Sequence, residues 1–248
     1  MKIIKNLEVS SVSKFEGYLK KCYETPQLHH RKLMSRIVGA YGSLVARSYC
    51  RVRFTIIDIK ILNMLSLFLR GKTKILDIGC GYGLFGCYFS TLYPEIPYYG
   101  YDIDSKRIEM AKLTAMQLGL KNVSFHCQDV RALASEDMFD AIVMIDLLHH
   151  IDNDSKRRLL AKCLQHLSPN GSLIIKEVST RPFHKMLFTW VLDVLVTRSF
   201  QMWYWNEEKF RMILKTYFNR VDTYPIAHWL PYPHVIYLCE NTDSLPDQ

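Results

Sequence analysis

The sequence predicts an α/β fold in which a mostly parallel sheet carries helices on both faces. From about residue 74 onward, short apolar runs of strand length alternate with segments whose apolar residues recur at helical spacing. Glycines crowd the first junction between such a run and a helix. The last two apolar runs follow each other without room for a helix, which favours an antiparallel pair. Strands separated by helices imply right-handed crossovers and a doubly wound sheet.

Composition places the chain among ordinary folded proteins. It has 248 residues, of which 49% are hydrophobic and 23% charged, enough for one domain with a full core. The net charge of +8 permits an anionic partner, such as nucleic acid or an acidic membrane surface. Seven scattered cysteines without a C-x-x-C pair indicate neither a metal site nor a disulfide framework, and a reducing cytoplasm suits them. We expect no signal peptide, because the N-terminus lacks a sustained apolar core and a small-residue cleavage site. We expect no membrane-spanning helix, because no apolar run reaches ~18 residues.

Residues 1–70 lack the alternation and are predicted to form an N-terminal helical cap or lid. The candidate helices are SKFEGYLKKCY, HRKLMSRIVGAYGSLV and DIKILNMLSLFL.

Residues 71–240 are predicted to hold the sheet domain. The expected strands are KILDIG, PYYGYD, NVSFHC, FDAIVMID and GSLIIKEV, with helices over GLFGCYFSTLY, SKRIEMAKLTAMQLGL and DSKRRLLAKCLQHL. Asp104 and Gly119 should cap the second helix, and Asp154 or Ser155 should begin the third. A turn over residues 169–171 should introduce the fifth strand.

The C-terminal part of this domain contains two more predicted strands. NRVDTY and HVIYLC should form an antiparallel hairpin that closes the sheet edge. An apolar helical insertion is expected over about residues 183–205, and a polar tail over 241–248.

The stretch LDIGCGYGLFG fits two ligand-binding patterns. Gly81, Gly83 and Gly86 spell the G-x-G-x-x-G of dinucleotide sites. Gly79, Gly81 and Gly83 spell G-x-G-x-G two residues after Asp77. In either case bare backbone N–H groups would lie beside a helix N-terminus, or the glycines would serve only tight packing.

Acidic residues at successive strand ends favour the second pattern. Asp77 would crowd a pyrophosphate but would pair with a ligand ammonium group or a water. Asp102, at the end of the second strand, would hold ribose hydroxyls in both cases. Asp129 is placed to accept from an adenine amino group or to cap a short helix, and Asp146 ends the fourth strand. Together they suit a small cationic nucleoside.

LDIGCGYGLFG, GYDID, CQDVRAL, FDAIVMIDLLHHI and LSPNGSLIIKEV resemble the successive motifs of class I S-adenosylmethionine-dependent methyltransferases over about residues 72–178. The resemblance implies a Rossmann-like, seven-stranded sheet with a reversed last strand, and S-adenosyl-L-methionine as cofactor. Gly86 then becomes a packing glycine on the first helix. The implied cofactor-binding residues are Asp77, Gly79, Gly81 and Gly83 at the methionine part, Asp102 at the ribose, Ile103, Asp129 and Val130 at the adenine, and Asp146.

Transfer of a sulfonium methyl group needs a base only if the acceptor must lose a proton. His149, just past the fourth strand, is the predicted general base because imidazole titrates near neutral pH. It or its neighbour His150 would otherwise cap a helix or face solvent. Asp146, Glu177 and His234 complete the candidate catalytic set, although Glu177 would equally pair with Arg181.

The form DLLHHI resembles enzymes that methylate small molecules, lipids, quinone precursors or polyketides. FHKMLFTWVLDVLV, FQMWYW and AHWLPYPHV supply aromatic and aliphatic side chains for a small hydrophobic acceptor. The segment 186–196 would otherwise be an ordinary buried helix or make a peripheral membrane contact.

An RNA methyltransferase is the second hypothesis. The chain lacks the Asn/Asp-Pro-Pro-aromatic and Pro-Cys patterns of enzymes that methylate bases. Ribose 2′-O enzymes use a Lys-Asp-Lys-Glu tetrad; Asp146 and Lys176 fall in suitable places, but His234 stands where the Glu is expected. A non-catalytic nucleotide-binding protein of the same fold and a dehydrogenase are the remaining alternatives.

Overall fold

The computed structural model describes residues 27–130, 136–179, 203–226 and 233–241. Within these ranges a seven-stranded sheet has the order β3-β2-β1-β4-β5-β7-β6. Only β7 is antiparallel to its neighbours, β5 and β6, so the predicted mostly parallel sheet with a reversed last strand is confirmed. The strands are β1 (Ile75–Ile78), β2 (Tyr98–Asp102), β3 (Val123–Cys127), β4 (Phe139–Ile145), β5 (Leu167–Val178), β6 (Arg220–Ile226) and β7 (His234–Glu240).

Helices precede the sheet and connect its strands. The predicted helices between β1 and β5 are confirmed to within a few residues, whereas the short helix before β6 was not foreseen. The helices are α1 (Gln27–Ala40), α2 (Leu44–Ile56), α3 (Ile59–Leu69), α4 (Leu84–Leu92), α5 (Ser105–Leu118), α6 (Asn153–His166) and α7 (Glu207–Leu214), with a 3₁₀ turn at Leu148–His150.

The prediction of a single helix over HRKLMSRIVGAYGSLV is wrong, because α1 ends at Ala40 and α2 begins at Leu44. The Ser43 hydroxyl accepts from the N–H of Ala46 and begins α2. Tyr41 is fully buried, and its hydroxyl donates to the carbonyl of Tyr82 at 2.9 Å. That long-range bond fixes the break. The candidate helix SKFEGYLKKCY lies outside the described residues.

The caps of α5 are as predicted. Asp104 accepts from two backbone N–H groups of the first turn, and Gly119 ends the helix in the left-handed conformation. The predicted start of α6 at Asp154 or Ser155 is wrong. Asp152 is the N-cap, since its carboxylate accepts from the N–H groups of both residues.

The turn predicted over residues 169–171 is a bulge inside β5. Phe139 pairs with Leu167, but Ala141 pairs with Ser172, so the residues between leave the ladder. Asn170 has a φ of 60°, a left-handed conformation that asparagine tolerates better than most residues.

Apolar side chains pack on both faces of the sheet. Along β4, Ala141 and Val143 face one core, which also contains α1–α5, while Ile142 and Met144 face the other, with α6 and α7. The predicted helices on both faces are therefore confirmed, and α1–α3 share the core of the first face. None of the helices in the described ranges combines the length and the apolar composition that crossing a bilayer requires.

Candidate functional site

A cleft of about 610 Å³ opens at the carboxyl ends of β1, β2 and β4. This is the edge where ligands of doubly wound sheets bind. The cleft brings together five of the residues predicted to bind the cofactor: Gly79, Asp102, Ile103, Asp129 and Val130.

The glycine loop adopts backbone conformations that other residues rarely take. Gly79, Gly81 and Gly83 have φ values of 75°, 55° and 70°. A Cβ on Gly83 would lie 2.5 Å from Phe125, whereas a Cβ on Gly81 would meet nothing within 4 Å. Gly81 therefore presents open space, while Gly83 is tightly packed. A Cβ on Gly86 would lie 2.9 Å from Phe125, as expected for a packing glycine.

The carboxylate of Asp102 holds the glycine loop in place. It accepts from the N–H of Gly81 at 2.8 Å and, through its other oxygen, from the N–H of Asp104 at 2.9 Å. Each oxygen retains a second lone pair for a ligand hydroxyl. Next to it, Ile103 is 78% exposed along the cleft, and Val130 lies buried in the cleft wall.

Asp77 is buried outside the cleft lining. Its carboxylate accepts from the Tyr98 hydroxyl at 3.0 Å. Burial raises the pKa of Asp77 to about 7; the Tyr98 bond opposes this and the nearby Asp102 charge adds to it. The carboxyl group is thus poised to change its charge near neutral pH.

Asp146 is the centre of a buried ion cluster. Its two oxygens lie 2.5 Å from Lys176 Nζ and 2.9 Å from Arg53 Nη1. Burial alone would raise the pKa of Asp146, but the two cations outweigh it and hold the pKa well below its usual range. Its φ of 52° is strained for a residue other than glycine, and such strain is often found at functional sites.

Glu177 and His149 form a second buried pair. Glu177 Oε2 lies 2.6 Å from His149 Nδ1, while Oε1 accepts from the N–H groups of Leu147 and Leu148. Burial favours the neutral acid, yet His149 and these donors leave the pKa of Glu177 lowered. The imidazole stacks on the ring of Tyr204, with centroids 5.4 Å apart. Glu177 therefore has His149 as a partner; Arg181, the alternative partner considered from the sequence, lies outside the described residues.

The two adjacent histidines face different surroundings. His150 lines the cleft, whereas His149 lies 3% exposed among Lys156, Tyr204 and Tyr237. His234 begins β7, where it pairs with Val178, and its ring is buried. The roles predicted for these residues stay predictions.

Arg53 is the site residue that the sequence analysis missed. It lies on α2, 93 residues from Asp146 in the chain, and the pairing arises only because α2 packs over the end of β4. The one sequence signal is its place directly before the core residue Phe54 on an amphipathic helix.

Residues 75–171 match the family described as methyltransferase domain. The chain carries a class I methyltransferase domain. With the sheet order above, this match confirms the predicted family and S-adenosylmethionine as the cofactor of this kind of domain.

Curated relatives of this methyltransferase domain act on different acceptors. A malonyl-[acyl-carrier protein] O-methyltransferase of Bacillus cereus is 28% identical over 46% of this chain and 40% of its own. A ubiquinone biosynthesis O-methyltransferase of Rickettsia typhi is 25% identical over 57% and 54%. A ribosomal RNA small subunit methyltransferase G of Bacteroides thetaiotaomicron is 33% identical over 47% and 58%. The chain thus spans about half the length of these relatives.

A solved structure supports the fold. The magnesium protoporphyrin IX methyltransferase of Synechocystis, determined with bound S-adenosylhomocysteine, superposes with a TM-score of 0.60 at 17% identity. The match covers 84% of this chain and 93% of that one. At this identity the likeness establishes the fold alone.

Proposed function

We propose that the protein transfers a methyl group from S-adenosylmethionine to a small hydrophobic acceptor. The observation that carries the cofactor part is the cleft beside Asp102, whose lining includes both acidic and aliphatic side chains. Asp102 offers lone pairs to a ribose diol, and Asp129 offers them to an adenine amino group. The exposed Ile103 provides an apolar surface on which a flat base can lie.

The loop before this cleft fits the rest of the cofactor. Gly81 leaves its Cβ position open, so a ligand can approach the backbone closely. Asp77, whose pKa is raised to about 7, would favour the cationic amino-acid end when its carboxyl group is ionised. When bound, S-adenosylmethionine supplies a methyl group that is already activated on sulfur.

The chain's own residues would then align the acceptor, exclude water and, where needed, remove a proton. His149 is the proposed base. Because Glu177 is ionised, it accepts from Nδ1–H of His149 and fixes the tautomer that carries the lone pair on Nε2. Asp146 is proposed to hold the cleft end of β4 through its bonds to Arg53 and Lys176.

The choice of a hydrophobic acceptor rests on the aromatic character of the neighbouring chain. Trp203, Tyr204 and Trp205 lie at the C-terminal end of the predicted insertion, and Trp203 is 43% exposed. Two of the relatives are named for malonyl-[acyl-carrier protein] and ubiquinone biosynthesis. The insertion and the segment AHWLPYP lie mostly outside the described residues, so the acceptor pocket is proposed from the sequence.

Calorimetric titration tests the cofactor. We expect S-adenosylmethionine and S-adenosylhomocysteine to bind and NAD not to bind. Tight NAD binding without S-adenosylmethionine binding would overturn the proposal. Mass spectrometry of compounds that co-purify with the protein then gives the class of the acceptor.

RNA is the second candidate acceptor because of one contact in the site and the name of one relative. Lys176 and Asp146 are in direct contact, as two members of a ribose-methylating tetrad would be, and one relative is named for ribosomal RNA. Incubation of the protein and methyl-labelled cofactor with a lipid extract, and in parallel with ribosomal RNA, distinguishes the two candidate acceptors. We expect label in the organic phase; label only in RNA would assign the second candidate.

A further inference from the structure

The outer face of α2 does not have the polar composition expected of a helix face in water. We define this face as Leu44, Val45, Ser48, Arg51, Val52 and Thr55, all of which are exposed. These residues recur at helical spacing on one side, opposite the buried Ala46, Cys50 and Phe54. The helix therefore packs on the domain through one face and presents three aliphatic side chains on the other.

The exposure of these aliphatic side chains is large. Leu44 and Val45 are each 76% exposed, and Val52 is 51% exposed. Single exposed aliphatic residues are common on protein surfaces, but adjacent ones in the same first turn form a patch. Exposed apolar patches can mark sites of interaction, and the charge around this one distinguishes it from the other exposed apolar residues.

The chain around this patch carries only positive charge. Residues 27–57 contain no Asp or Glu, and Arg31, Lys32, Arg36 and Arg51 are exposed within it. Asp58 is the first acid after it, and its carboxylate is engaged in capping α3. The patch is therefore complementary to an anionic surface.

We propose that the outer face of α2 docks on an anionic lipid bilayer. In this arrangement Leu44 and Val45 enter the headgroup boundary, and Arg51 and the exposed cations of α1 meet lipid phosphates. The aliphatic residues disfavour nucleic acid, whose contacts use cations and aromatic rings. The uniform charge disfavours a second copy, because two identical faces would repel each other.

Docking would place the cap at the lipid surface while Arg53, on the flank of the same helix, bonds to Asp146 at the end of β4. The inference does not depend on the proposed reaction, since lipid binding needs neither cofactor nor acceptor. Experiments can therefore disprove the docking proposal and the proposed reaction independently of each other.

Flotation of the full chain with vesicles tests the proposal. We expect binding to vesicles of phosphatidylcholine with phosphatidylglycerol, little binding to phosphatidylcholine alone, and weaker binding as salt is raised. Leu44→Ser with Val45→Ser should reduce the partition coefficient by about tenfold, through loss of buried apolar area. Arg51→Gln should reduce it by roughly fivefold.

The matched control is Leu113→Ser with Met116→Ser on α5. These residues are also exposed, at 54% and 72%, but lie on a helix that includes the acid Glu109. The control should bind vesicles like the unmodified chain, and all variants should keep the same thermal unfolding midpoint within a few degrees.

Three results would overturn the proposal. The first is absence of binding to anionic vesicles, or equal losses in the α2 and α5 variants. The second is self-association that the Leu44→Ser, Val45→Ser variant abolishes, which would assign the face to a second copy. The third is binding to single-stranded RNA, but not to vesicles, that depends on Arg51 and not on Leu44 or Val45.

Discussion

Arg53 Nη1 lies 2.9 Å from Asp146 Oδ2, so a helix of the cap is bonded directly to the residue that follows β4. Both side chains are largely buried, and Lys176 occupies the other carboxylate oxygen of Asp146. The bond joins α2 to the turn after β4, in which Leu147 and His150 line the cleft.

Arg53→Gln should lower the free energy of unfolding by about 1–3 kcal/mol, because it removes one of two cations from a buried carboxylate. Urea unfolding measures this loss. Arg51→Gln, two residues earlier on the exposed face, is the matched control and should change stability by less than about 0.5 kcal/mol. Equal effects of the two substitutions would show that the Arg53–Asp146 bond contributes nothing specific.

Asp77 should make the protein less stable as pH rises towards neutrality. Its folded pKa is raised to about 7, from an ordinary value of 3.8, so the native state retains a proton that the unfolded chain has lost. The stability that protonated Asp77 contributes is thus fully present below about pH 4, and this contribution is lost as pH rises through about 7. Compared with Asp77→Asn, the unmodified protein should lose up to about 4 kcal/mol over this window.

Urea unfolding at a series of pH values checks the sign. Asp146 provides the internal contrast: its folded pKa is lowered, so its contribution is present above its unfolded pKa and is lost as pH falls in acid. Stability curves of the unmodified protein and Asp77→Asn that run parallel from pH 4 to 7 would contradict the assignment.

Much of the cleft could be predicted because its residues follow local rules. Asp102 ends β2 and Asp129 lies two residues after β3, and parallel strands bring their carboxyl ends to one edge. Arg53, by contrast, reaches the site only through packing of a helix that no local signal orients. The break at Tyr41 likewise depends on a bond to Tyr82, 41 residues away. The bulge around Asn170 results from the pairing register between β4 and β5, which a single strand's sequence does not carry.

Asp102→Ala should weaken binding of S-adenosylmethionine by about 1–3 kcal/mol. It removes the charged acceptor proposed for the ribose and also frees the N–H of Gly81. Titration calorimetry measures the affinity. Asp104→Ala is the control, because it removes the N-cap of α5 and an exposed ion pair with Arg107 but no proposed ribose contact: it should cost about 1 kcal/mol of stability and leave affinity unchanged. If both variants bind alike, the ribose assignment is wrong.

His149→Ala should lower methyl transfer while cofactor affinity stays the same, because the proposed base touches the acceptor and not the nucleotide. The substitution His150→Ala separates the two neighbours. His150 lines the cleft, whereas His149 is buried and oriented by Glu177, so a base at His149 requires the acceptor to reach past the cleft wall. Transfer is measured with labelled cofactor and the acceptor found in the co-purification experiment.

Glu177→Gln distinguishes a positioning role from a purely structural one. If Glu177 orients His149, the variant should shift the pH profile of transfer and keep cofactor affinity, since the amide no longer carries the charge that faces the imidazole.

Transfer that survives His149→Ala but is lost in His150→Ala would instead assign the base to His150, on the cleft wall. The Glu177–His149 pair would then be a structural bond between β5 and the turn after β4.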